Sequence, residues 1–325
     1  MRQKPLNIGV DLMGSENAPS ALLEATFQHA LVEKSASFYL FGTEIVKSYF
    51  EKHSHPSNIC FISVSQEISM DENPLLAIRR KKDSSICVGM KYLKLNKIDA
   101  FISSGNTGAL VSSAKTIIGM QKGVLRPALL AWMPTKKNPF AILDVGANVN
   151  IKPIHLIQFA KMGIEACKSK NISKPRVGLL NIGSEKLKGT SLLQETYGEL
   201  ASLQERCGFQ FEGNVEGKDV FQGNIDVLVT DGFTGNIFLK TSEGVASLIL
   251  DILKDKLPKE VNSIGASYLK NLQSHLHYAK YPGAVLVGVK GLVIKCHGYS
   301  SPKAFINGIK DAIYQKRSES KFFIH

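Results

Sequence analysis

The chain has 325 residues, 44% hydrophobic and 21% charged, which is ordinary globular composition and excludes a disordered or fibrous chain. Forty Lys and Arg against 28 Asp and Glu give a formal net charge of +12, which favours acidic partners such as anionic lipid or an acidic protein. There is no RNP-type aromatic motif, zinc-finger spacing or continuous basic helix, so nucleic acid is not expected as a partner.

Leu6 to Leu12 reads as a first strand, followed by a glycine turn and a helix from about Pro19 to Lys34. Strands are expected at Ser37 to Phe41, Ile59 to Val64 and Asp99 to Ser103, with helices at Thr43 to His53, in two pieces across Pro74 to Asn96, and at Thr107 to Gly119. Further strands follow at Ala128 to Met133, Phe140 to Asp144, Arg176 to Asn181 and Ile225 to Thr230, and helices at Pro153 to Ser169 and Gly189 to Arg206. A helix-rich stretch from Asn236 to Tyr278, a strand pair and a last helix close the chain. This alternation predicts an α/β fold, with a mostly parallel, Rossmann-like sheet between two helix layers. No linker or repeat divides it, so residues 1–325 read as one domain or two intertwined lobes.

No apolar stretch is long enough to span a bilayer, and Met1 to Val10 has no export signal, so a cytoplasmic location is expected. The five cysteines are far apart and read as buried, reduced thiols. The Gly-x-Gly-x-x-Gly, Walker, Gly-x-Ser-x-Gly and His-Glu-x-x-His motifs are all missing, so neither a dinucleotide cofactor nor a metal is called for.

In open parallel sheets, ligands bind beyond the carboxyl ends of the strands. Five such loops are rich in Gly with Asn, Asp, Thr or Lys: 11–14, 103–109, 144–148, 181–189 and 231–236. In the second, Gly105 and Gly108 let amides approach an anion while Asn106 or Thr107 caps a helix, although a tight capped turn would need the same residues. Lys188 lies just before a helix, where a cation is unfavourable unless an anion intervenes; a solvated lysine beside Lys186 and Glu185 is the other reading. The run from Arg79 to Lys82 precedes a polar cap at Asp83 to Ser85, and is either an anion site or a solvated helix end. His297 before Gly298 is either an anion donor or a structural histidine.

At these loops the sequence resembles the bacterial phosphate acyltransferase family, the PlsX type. The resemblance runs through Ile8-Gly-Val-Asp-Leu-Met-Gly14, Arg80-Lys-Lys-Asp-Ser-Ser85, Ser104-Gly-Asn-Thr-Gly-Ala-Leu110, Leu143-Asp-Val-Gly-Ala-Asn148 and Arg176-Val-Gly-Leu-Leu-Asn-Ile-Gly183, and on to Gly213-Asn-Val-Glu-Gly217, Asp231-Gly-Phe-Thr-Gly-Asn236 and His297-Gly298. It implies transfer of a fatty acyl group from acyl carrier protein to inorganic phosphate for phospholipid synthesis, on a scaffold similar to isopropylmalate dehydrogenase and phosphotransacetylase. It also implies a homodimer and supply of acyl phosphate to a glycerol-3-phosphate acyltransferase.

By the same resemblance, Lys188 and Asn236 fall on the acyl-transfer site; in the mechanism the residues permit, Asp231 joins the catalytic set as an orienting group rather than a base. Gly105, Asn106, Thr107 and Gly108 fall on the phosphate turn, and Lys82, Asn148, Gly183 and His297 join the substrate-binding set. Apolar residues Tyr268, Leu272 and Leu276 with Lys254, Lys256, Lys259 and Lys270 suggest a peripheral contact with the inner face of an anionic membrane, which core packing would also explain. The alternatives are a coenzyme A-dependent phosphotransacetylase and a non-catalytic anion- or lipid-binding scaffold.

Overall fold

The computed structural model describes residues 5–15, 17–256, 283–296 and 302–322. His297, and the part of the proposed membrane-contact stretch beyond residue 256, lie outside them. The chain divides into two compact units, one formed by Met1–Pro127 with Pro282–His325 and the other by Ala128–Tyr281.

Unit one holds β1 (Leu6–Asp11), α1 (Pro19–Val32), β2 (Ala36–Gly42), α2 (Glu44–Lys52), β3 (Ile59–Ser63), α3 (Pro74–Arg80), α4 (Ser85–Lys94), β4 (Ala100–Ser103) and α5 (Thr107–Ser113). After the second unit it continues with β10 (Ala284–Val287), β11 (Leu292–Lys295) and a last helix, Pro302–Phe322. Its strands run in the order β3-β2-β1-β4-β11-β10, all parallel except the β10–β11 hairpin.

Residues 8–11 of β1 are buried without alternation, because helices cover both faces of the sheet. On one face Ile8, Val10 and Ile102 pack with Leu22 and Phe27 of α1 and with Phe305 and Ile309 of the last helix. On the other, Gly89 brings α4 onto the Phe101 ring, where any β-carbon would overlap it. The expected helix from Thr107 to Gly119 is α-helical only to Ser113; a π turn continues it to Ile118 and ends at Gly119, with φ +93°.

Unit two holds β5 (Ala128–Met133), β6 (Phe140–Leu143), α6 (Pro153–Lys168), β7 (Arg176–Leu180), α7 (Ser191–Cys207), β8 (Gln210–Val215), β9 (Val227–Val229) and α8 (Gly232–Lys256). The order is β5-β6-β9-β7-β8, parallel except for the β5–β6 hairpin. The sequence pattern missed β8. It is an edge strand carrying Gln210, Glu212 and a left-handed Gly213, and its register with β7 shifts at Val177/Gly178. Of the five cysteines, Cys87, Cys167 and Cys296 are buried as expected, whereas Cys60 is exposed and Cys207 is half-buried.

Candidate functional site

Loops 11–14 and 103–109 belong to unit one; loops 144–148, 181–189 and 231–236 belong to unit two. Each leaves the carboxyl end of a parallel strand.

In unit one the turn after β4 rests on a buried carboxylate. Asp11 accepts from the Ser103 hydroxyl at 2.6 Å and the Met13 amide at 3.0 Å, and Ser103 Oγ in turn accepts from the Gly105 amide at 3.1 Å. Burial pushes the Asp11 carboxyl up to about 6, against the opposing hydrogen bonds of Ser103 and Ser85 and the charge of Lys295. Lys295 is itself buried and donates to the Ser104 carbonyl.

The Gly105 amide is therefore held by Ser103, and Asn106 is fully engaged as the cap of α5. Its Oδ1 accepts from the Ala109 amide, and its Nδ2 donates to the carbonyls of Ser69, Met70 and Glu72. Gly108 is glycine for packing, since a β-carbon there would stand 2.7 Å from Pro74 Cγ. What the turn offers an anion is the Thr107 and Gly108 amides, which have no intrahelical acceptor, and the buried Ser104 hydroxyl, which has no hydrogen-bond partner.

In unit two the loop after β6 wraps around Asp144. This buried carboxylate accepts from the amides of Leu129, Gly146, Ala147 and Asn148 and from the Asn148 side chain at 2.8 Å. Burial raises its pKa against those bonds. Asn148 also receives the Gly232 amide on its carbonyl, which fixes the start of α8. Asp231 caps that helix, taking the Phe233 and Thr234 amides at 2.9 Å and the Thr234 hydroxyl at 2.8 Å. Asn236, one turn on and exposed, donates to the Val145 carbonyl.

The loop after β7 is tied by two buried asparagines that sequence reasoning did not single out. Asn181 Nδ2 donates to the Lys188 carbonyl and to Asn214 Oδ1, and Asn214 donates to the Glu185 carbonyl at 2.7 Å. Gly189, at φ +83°, has no room for a β-carbon, which would meet Asn181 at 2.4 Å. Lys188 is exposed, its Nζ 3.6 Å from Glu185, and its chain lies over Gly183. The Lys188 backbone is thus fixed by Asn181, whereas its ammonium is exposed beside Glu185. The signal for the asparagines was an Asn at the end of each of two neighbouring strands, but their pairing needs the β7–β8 register.

Lys82 is exposed, its carbonyl taking a bond from Lys91. Its neighbour Lys81 is the one engaged, with Glu72 at 2.6 Å. Among the described residues no three His, Cys, Asp or Glu side chains cluster to hold a metal ion, and no helix is long and apolar enough to cross a membrane.

Beside the 181–189 and 231–236 loops lies a cavity of about 1120 Å³, lined by Asn181, Gly189, Thr230, Asp231 and Thr234 together with apolar residues of α7 and α8.

A family model described as "Fatty acid synthesis protein" matches residues 6–320. A phosphate acyltransferase of Clostridium perfringens is 42% identical over 315 residues, covering 94% of this chain and 92% of that protein. One from Chlamydia caviae is 41% identical over 314 residues, covering 95% and 94%. Among solved structures, the EutD phosphotransacetylase from Staphylococcus aureus is similar with TM-score 0.61 at 18% identity, over 95% of this chain and 94% of that one. A 4-hydroxythreonine-4-phosphate dehydrogenase from Klebsiella pneumoniae reaches 0.57 at 9% identity, over 95% and 99%. At these identities the structural likeness shows a shared α/β fold, of the kind expected from the strand–helix alternation.

Proposed function

Because the chain belongs to the phosphate acyltransferase family, we propose that it moves a fatty acyl group from an acyl carrier protein thioester onto inorganic phosphate. The supporting observation is the 42% identity to a phosphate acyltransferase across 94% of the chain. A phosphate oxygen attacks the thioester carbonyl carbon, the C–S bond breaks, and the carrier leaves as a thiolate that takes up a proton. Phosphate is already partly dianionic near neutrality, so the reaction needs no strong base, and positioning supplies most of the rate.

In this reading Lys188 is the exchangeable cation that meets negative charge, and Asn236 directs its second amide N–H at the carbonyl oxygen as charge develops there. Asp231 keeps the first turn of α8, and so Asn236, in place. The Thr107 and Gly108 amides and the Ser104 hydroxyl form the phosphate-binding turn of unit one. Asn148 and Gly183 shape the unit-two loops, and Lys82 and His297 belong to the wider substrate-binding set. Acyl phosphate then passes to a glycerol-3-phosphate acyltransferase. The protein acts as a homodimer in the cytoplasm, and its charge of +12 suits both an acidic carrier and the anionic inner face of a membrane.

The test is to incubate the enzyme with phosphate and either acyl carrier protein or coenzyme A thioesters, trapping acyl phosphate with hydroxylamine. Turnover is expected with the carrier thioester; product from coenzyme A thioester alone would favour a phosphotransacetylase. Lys188→Ala and Asn236→Ala should each lower turnover about 100- to 1,000-fold while still folding, and near-normal rates in both would remove these roles.

A further inference from the structure

The large cavity of unit two is much more apolar than a phosphate or a two-carbon acyl group requires. Along α8 its wall is formed by Phe233, Ile237, Val245 and Ile249, spaced at multiples of four residues so that they follow an apolar ridge that winds slowly around the helix. From Phe233 to Ile249 this stripe runs about 24 Å at 1.5 Å per residue.

These side chains are 59%, 52%, 51% and 43% exposed, an apolar strip that a water-facing helix does not normally leave open. Ile182 and Leu193 line the same space. At the beginning of α8 the lining is polar, with Asn181, Asp231 and Thr234, and includes Gly189, the neighbour of Lys188; farther along, Thr241 and Ser242 stand among the apolar residues.

The chemistry of the lining selects its occupant. Among the described residues no Lys, Arg or His lines the cavity, and the one charged side chain there, Asp231, already accepts three hydrogen bonds. A nucleotide-bearing thioester would place phosphates where no cation meets them, and a peptide would bring backbone groups with few partners. An unbranched hydrocarbon needs neither. The volume of about 1120 Å³ is at the upper end for small-molecule sites, as a long chain would require.

We propose that this groove holds the hydrocarbon tail of a long acyl donor, with the carbonyl end at Asn181 and Asp231 and the methyl end toward Val245 and Ile249, which set the chain length accepted. The inference rests on the acyl-transfer reading above and adds to it the location of the chain. Each buried methylene contributes about fourfold to binding, so four methylenes kept out of the groove are felt strongly.

Val245→Trp and Ile249→Trp place bulk at the far end of the groove, on positions open enough to accept it. The measurement is kcat/KM with phosphate and C8, C12 and C16 carrier thioesters, with displacement of a fluorescent long-chain fatty acid and sedimentation velocity alongside. The C16-to-C8 ratio of kcat/KM should fall at least about tenfold in both variants, and the fatty acid should bind at least about tenfold more weakly. An unchanged ratio, or an equal loss at every chain length, would overturn the proposal. So would a change in oligomeric state with the chain-length profile intact, which would assign this face to a second copy. Should the unaltered protein transfer no acyl group to phosphate, the reaction assigned above fails, and the fatty-acid measurement still decides the groove.

Discussion

The Asn236 side-chain amide and Gly146 face each other within unit two. The amide nitrogen donates to the Val145 carbonyl at 3.1 Å, and a β-carbon added to Gly146 would stand 2.9 Å from that nitrogen. Gly146 has φ +138°, a conformation that side chains other than glycine's rarely adopt. Gly146→Ala is therefore expected to move Asn236 off its carbonyl and destabilise the fold by about 1–3 kcal/mol. Turnover should fall by a factor close to that of Asn236→Ala. A Gly146→Ala enzyme with full turnover would separate the two residues.

The Asn181–Asn214 pair holds the backbone that carries Lys188. Asn181→Ala leaves the Lys188 carbonyl and Asn214 Oδ1 without their bonds, at about 1–3 kcal/mol for unsatisfied buried groups. Urea unfolding should show that loss, with a rise in the phosphate KM as Lys188 loosens. Unchanged stability would mean the loop is fixed elsewhere.

Asp11 gives the protein a particular pH dependence. Its folded value of about 6 lies above the ordinary 3.8, so between these pH values the folded chain keeps a proton that the unfolded chain has released. The stability this contributes is complete below about pH 4 and is lost as pH rises through about 6, on the order of 3 kcal/mol. Urea titrations from pH 4 to 8 should show this decline in the unaltered protein and a flatter profile in Asp11→Asn. Identical profiles would contradict it.

At the edge of unit two Arg176 forms an ion pair with Asp226 at 2.9 Å and also donates to it through Nε at 3.0 Å. Burial alone would raise the Asp226 pKa, but the Arg176 hydrogen bonds and charge overcome this and lower it. That contribution is present above the ordinary carboxylate pKa and disappears as pH falls through the lowered value. Arg176→Ala strands a buried carboxylate and should destabilise by about 3–5 kcal/mol, read by thermal or urea unfolding. A loss under about 1 kcal/mol would show the pair to be screened by water.

Much of the candidate site was legible locally. Strand–glycine–helix transitions placed Asp11, Gly105, Asp144, Lys188 and Asp231 at strand ends, because a turn into a helix requires residues with φ freedom and a cap, and those types are visible one at a time. The same locality limits the reading. Gly105 and Asn106 looked like ligand contacts, yet the amide of one and the side chain of the other are taken up by Ser103 and by carbonyls more than thirty residues away. β8 was invisible because an edge strand with polar residues lacks the apolar run that marks its neighbours.

By itself, then, the sequence determined the alternation of strands and helices, the five glycine-rich strand ends and the excess of positive charge, since each follows from backbone preference or composition within a short window. Only the tertiary structure decided which amides and hydroxyls remain available, that Asn181 meets Asn214, and that Phe233, Ile237, Val245 and Ile249 line a cavity with Ile182. These depend on pairings between distant segments, which settle which donors and acceptors are taken up within the protein, and periodicity carries no record of them.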